Sequence, residues 1–99
     1  MKPVRLEFHC HTIYSKDSLT KIPELLRVAE VNGIDKLVIT DHNTIAGAQA
    51  AHDIDPQRVI IGEEIYTQQG ELLAAFVKEE IPKGLSAKET IARLKDQDA

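Results

Sequence analysis

Apolar residues recur along the chain with two periods, and each change of period coincides with turn or capping residues. Residues 4–10 carry Val4, Leu6 and Phe8 at period two. This predicts a strand whose Leu6 and Phe8 share one face and leave His9 and His11 on the other. Ile22, Leu25, Leu26 and Ala29 follow at helical spacing, with Pro23 suited to a first turn and Gly33 to a stop, so a helix is expected over 22–32. Residues 36–40, through Leu37, Val38 and Ile39, form the short continuous apolar run of a strand covered on both faces. Asn43 or Thr44 then caps a second helix through Ile45, Ala48 and Ala51. The β-branched stretch 58–66, a turn at Gln68, Gln69 and Gly70, and the apolar stretch 72–77 predict a hairpin. Beyond Pro82 and Gly84, Ser86 and Glu89 make a capping box that opens a third helix with Ile91 and Leu94 inside.

Strands alternating with helices over short connections indicate an α/β architecture with a parallel core, in one domain over residues 1–99. The last helix is one that in a barrel would feed a further strand. The natural chain is therefore expected to continue past Ala99, and the open sheet edge offers a route to self-association. A content of 42% hydrophobic and 28% charged residues is that of an ordinary globular protein. No apolar run nears the roughly 18 residues of a membrane span, the first residues lack a secretory signal, and Cys10 has no second cysteine to pair with. A cytoplasmic protein with no membrane partner is expected. The net charge of −4 is spread without a basic cluster, which argues against autonomous strong binding to nucleic acid. Nucleotides or oligonucleotides stay admissible as substrates, because bound divalent cations would reverse the local potential.

The candidate chemistry lies at strand ends. His9 and His11 flank Cys10, and in extended chain residues two apart project to one side, so both imidazoles can reach one cation while Cys10 packs the opposite way. Such a pair alone is as readily structural. Thr40, Asp41 and His42 follow the second strand, where barrel enzymes carry reactive groups. In Gly62, Glu63, Glu64 and Ile65 one carboxylate of the pair must face the active end, and a glutamate can bridge two cations. Asp17, in the polar loop after the first strand, is a further ligand candidate, with helix or loop capping as its alternative. Imidazoles and carboxylates in this number suit zinc, manganese or iron better than magnesium alone. His52, near a helix end, reads as a surface residue, and Lys88, Arg93 and Lys95 as a solvated face. Neither a nucleophile elbow nor a phosphate-cradling glycine loop is present, which removes serine-hydrolase and phosphate-loop readings.

Taken together, His9-x-His11, the loop to Asp17, the run from Thr40 through Asp41, His42 and Asn43 to Thr44, and Gly62-x-Glu64-Ile65 resemble the PHP (polymerase and histidinol phosphatase) domain superfamily in order and interval. The resemblance covers essentially the whole chain. It implies the N-terminal half of a distorted, TIM-like (β/α)7 barrel with parallel strands and one hairpin. It also implies two or three divalent ions: His9, His11 and Glu64 on one, Glu64 reaching a second, Asp17 and His42 on a third. Asp41 is the catalytic candidate, as an orienting group more than a ligand. The implied reaction is hydrolysis of phosphate esters, in small phosphorylated metabolites, nucleotides or oligonucleotides, by a metal-activated water with no protein nucleophile. Two departures stand out. Glu71 occupies the place where several members carry a histidine, and the later histidines and Asp-x-His motif do not occur, so the isolated 99 residues are expected to be inactive. The rival readings are a non-catalytic metal-binding or structural PHP module and an amidohydrolase-type enzyme acting on C–N bonds.

Overall fold

The computed structural model describes residues 6–12 and 21–99, and at residues 8–10 the backbone alone. The element order is β1 (Leu6–Cys10), α1 (Ile22–Val31), β2 (Lys36–Ile39), α2 (Ala46–Ile54), β3 (Val59–Thr67), β4 (Gly70–Ala75) and α3 (Ala87–Asp96). The strands form one curled sheet in the order β1-β2-β3-β4. The first two pairings are parallel and β3 to β4 is the antiparallel hairpin. The architecture is mixed α/β, with a four-stranded half-barrel sheet.

Period-two alternation decides what each face of the sheet buries. Leu37, Ile39 and Val59 turn to the helices and pack with Ile22, Leu26 and Ala29 of α1 and Ala48 and Ala51 of α2. A second cluster joins Ile65 and Ala74 of the hairpin to Ile45, Val77, Ile81 and Leu94. Glycine is required at one point in this sheet. A Cβ on Gly62 would stand 2.5 Å from the Ala74 carbonyl oxygen and 2.9 Å from side-chain carbons of Thr40 and Val38, so only a bare backbone fits between β2 and β4.

Four local expectations are corrected. The cap of α2 is neither Asn43 nor Thr44 but Ile45, which has no side-chain cap; its N–H is taken instead by Glu80 Oε1 at 2.9 Å. Asn43 adopts the left-handed conformation (φ 56°) and belongs to the preceding turn. Ile91 is 41% exposed, because α3 presents Thr90 and Leu94 to the core. Leu6 is also exposed: it pairs with Lys36, the exposed first residue of β2, and further along β1 the register slips by one between Glu7 and Cys10. His52 is half-buried rather than on the open surface, in a groove with Lys36, Pro56, Val59 and Phe76. Ser86 does cap α3, its side chain accepting the Glu89 N–H at 3.1 Å. Among the described residues, no helix is long and apolar enough to cross a membrane.

Candidate metal centre

Backbone pairing beyond the end of β2 builds the site. His42 and Glu64 form an isolated parallel bridge, in which the Glu64 N–H donates to Asp41 O at 2.9 Å and the Asn43 N–H to Glu64 O at 2.8 Å. The residue after Asp41 is thereby held beside β3. The alternation of β3 puts Gly62, Glu64 and Tyr66 on the face away from the helices, and Glu63 and Ile65 on the other. Of the glutamate pair, Glu64 therefore joins the histidines.

Three donors converge. His42 Nδ1 is in contact with Glu64 Oε2, and His11 Nε2 lies 3.7 Å from the same oxygen. The two imidazole rings are 4.3 Å apart at their centroids and tilted by 56°. One ligand atom from each of His11, His42 and Glu64 falls within 4.8 Å of the others. Zinc bonds of about 2.0–2.2 Å would bring such donors to about 3–3.5 Å of one another, a side-chain adjustment of little more than 1 Å. Two imidazoles with a buried carboxylate are a donor set for zinc, manganese or iron, so these residues fit a divalent cation. Glu64 is nearly inaccessible, whereas the side chains of His11 and His42 are 21% and 15% exposed, so the cluster is open to solvent from the histidine side.

The expected ligand His9 lies in β1 two residues before His11, with its side chain outside the described residues, and Asp17 also lies outside them. Glu71 is described: it pairs with Tyr66 across the hairpin, is exposed, and belongs to no donor cluster among the described residues. Asp41 is fully buried and holds Thr12 with both oxygens, accepting from its N–H at 2.5 Å and from its hydroxyl at 2.6 Å. That double bond clamps the exit of β1 to the exit of β2. It thereby fixes where His11, one residue earlier, stands relative to His42.

Glu63 does different work on the opposite face. It is wholly buried, and its Oε1 accepts the Ile81 N–H at 2.9 Å, tying the segment after β4 to β3. Burial pushes its carboxyl up to about 7; the bond from Ile81 opposes this and the neighbouring Glu80 adds to it. At the site itself, sequence reasoning passed over Tyr66 and Asn43. The Tyr66 hydroxyl is 2.7 Å from His42 Nδ1, its ring meets His42 edge-on at 5.3 Å, and its N–H donates to Asn43 Oδ1 at 2.9 Å. The one available signal was the alternation that places Tyr66 two residues after Glu64.

A model of the PHP domain matches residues 7–95. The uncharacterized protein MJ1587 of Methanocaldococcus jannaschii is 38% identical over 107 residues, which cover 95% of this chain and 63% of that protein. The uncharacterized protein MJ0417 of the same organism is 33% identical over 96 residues, 97% of this chain and 37% of that protein. The chain thus spans somewhat under two thirds of the one relative and over a third of the other. With residues 7–95 matched and His11 and His42 gathered beside Glu64 of β3, the chain belongs to the PHP domain family.

Proposed function

We propose that the protein is a metal-dependent phosphoester hydrolase whose cations are held by His11, His42 and Glu64, together with His9 and Asp17. The observation that carries this reading is the convergence of two imidazoles, from the exits of β1 and β2, on one buried carboxylate within β3. Cations held there would supply activation of water and neutralisation of charge on phosphoryl oxygens. The chain's own part is to hold the donors: Asp41 fixes the β1 exit through Thr12, and the β2–β3 bridge sets His42 against Glu64. A solvent-open site with imidazole walls suits a small phosphorylated substrate, a nucleotide or an oligonucleotide end. Residues 1–99 would be the N-terminal half of a seven-stranded (β/α) barrel, and the activity proposed is that of the whole protein. A cytoplasmic setting fits the lone cysteine.

A second reading, a PHP module that binds cations without turnover, would use the same three donors. The test is release of phosphate or nitrophenol from p-nitrophenyl phosphate and nucleoside monophosphates with manganese or zinc added, beside cyclic amides as control. Phosphoester turnover lost on chelation and in Glu64→Gln supports the hydrolase. Cation uptake with no turnover supports the module, and amide cleavage alone supports C–N hydrolysis.

A further inference from the structure

In a parallel pair, the N–H and C=O of a residue bond to the residues before and after its partner on the next strand. Glu64, the partner of His42, follows this rule: its N–H donates to Asp41 O at 2.9 Å and its carbonyl accepts the Asn43 N–H at 2.8 Å. The next rungs of a regular ladder would join the Tyr66 N–H to Asn43 O and the Ile45 N–H to Tyr66 O. Here the Tyr66 N–H donates to the side-chain Oδ1 of Asn43 at 2.9 Å, the Ile45 N–H to Glu80 Oε1 at 2.9 Å, and Tyr66 O accepts the Gly84 N–H at 2.8 Å. Every group that loses its rung thus has a substitute, and the first substitute comes from Asn43 itself. Its left-handed backbone (φ 56°), which asparagine tolerates far better than most residues, turns the chain out of the sheet one residue after His42.

We propose that Asn43 is a positioning residue for the metal centre: its side-chain oxygen stands in for its own carbonyl on the edge of β3, and so holds His42, one residue earlier, beside Glu64 while the chain leaves the sheet. This rests on the metal-centre reading above. Asn43 grips β3 at two points, its N–H on Glu64 O and its side chain on the Tyr66 N–H. With the second grip removed, the turn hangs on Glu64 O alone, and the His42 ring is held less closely to the Glu64 carboxylate and His11. Groups that orient a ligand histidine from behind typically change cation affinity by about 10–100-fold when removed. The Asn43–Tyr66 bond lies at an exposed position, so water takes the Tyr66 N–H when the side chain is cut back, and folding stability changes little. Asn43→Gly keeps the left-handed turn and deletes the acceptor, whereas Asn43→Asp keeps both.

The experiment uses the full chain and Zn²⁺ alone. Calorimetric titration of wild type, Asn43→Gly and Asn43→Asp is paired with melting curves of the metal-free proteins and with amide hydrogen exchange of zinc-loaded wild type. The expected result is about tenfold weaker Zn²⁺ binding in Asn43→Gly at an unchanged melting temperature, and recovery of that loss in Asn43→Asp. Affinity of Asn43→Gly within about twofold of wild type, or an equal loss in both variants, overturns the proposal while the metal centre stands. A loss that appears only in step with a lower melting temperature makes Asn43 a structural residue and overturns it too. No Zn²⁺ uptake by wild type removes the metal centre and this proposal with it. The exchange measurement needs no variant: the Tyr66 amide of loaded wild type should be protected, and exchange at the rate of an open chain overturns the proposal even where Asn43→Gly folds poorly.

Discussion

Replacing Glu63 by glutamine should stabilise the metal-free protein in neutral and alkaline solution and change it little in acid. Glu63 is wholly buried, and burial raises its carboxyl from 4.5 to about 7. The folded state therefore binds this proton more tightly than the unfolded chain. Between those two values the folded protein carries the larger proton complement, so stability falls as pH rises through that window and levels off above it. At about 1.36 kcal/mol per pH unit, the gap corresponds to about 3 kcal/mol, most of it lost between pH 5 and pH 8.5. Glutamine is neutral throughout, nearly isosteric, and keeps an oxygen for the Ile81 N–H. Urea unfolding in the presence of a chelator reads the difference. With a slope of about 1–1.5 kcal/mol per molar for a chain of this size, the Glu63→Gln midpoint should exceed wild type by about 2 M at pH 8.5 and differ little at pH 5. Parallel pH dependence in the two proteins would refute the assignment of that cost to Glu63.

Three further outcomes follow from contacts described above. Gly62→Ala forces a Cβ to within 2.5 Å of the Ala74 carbonyl oxygen and should cost about 2–3 kcal/mol, read as a lower thermal midpoint. Asp41→Asn replaces one of two acceptors for Thr12 by an N–H donor, with a cost of about 1–3 kcal/mol in stability and a further loss of cation affinity as His11 is released, read by melting and titration together. Ser86→Ala removes the cap of α3 and should cost about 1 kcal/mol in urea unfolding without altering cation binding, since α3 lies on the far face of the hairpin.

Much of the fold was legible because its signals are local. The run through Leu37, Val38 and Ile39, the helical spacing from Ile22 to Ala29, the turn at Gly70 and the Ser86 cap each depend on a few neighbouring residues. The errors arose where a distant partner decides. Asn43 is a good cap residue, yet its side chain takes the Tyr66 N–H across 23 positions, and Glu80, 35 positions away, serves the start of α2. Leu6 has the right period for a buried face, but its partner across the sheet is the exposed Lys36, ahead of the buried run of β2, and it is exposed with it. Of the site, His11 and His42 were readable as donors after strands and Glu64 as one of a carboxylate pair within the β-branched run. The contact of Tyr66 with His42 and of Glu63 with Ile81 depends on packing that no spacing rule encodes.

The central claim is that His11, His42 and Glu64 share a divalent cation. Anomalous diffraction at the zinc or manganese edge, from crystals of the protein grown with that ion, tests it most directly. The account predicts a peak bonded at about 2.0–2.2 Å to an imidazole nitrogen of each histidine and to a carboxylate oxygen of Glu64. A well-ordered structure with these three side chains gathered as described and no anomalous peak among them would contradict it.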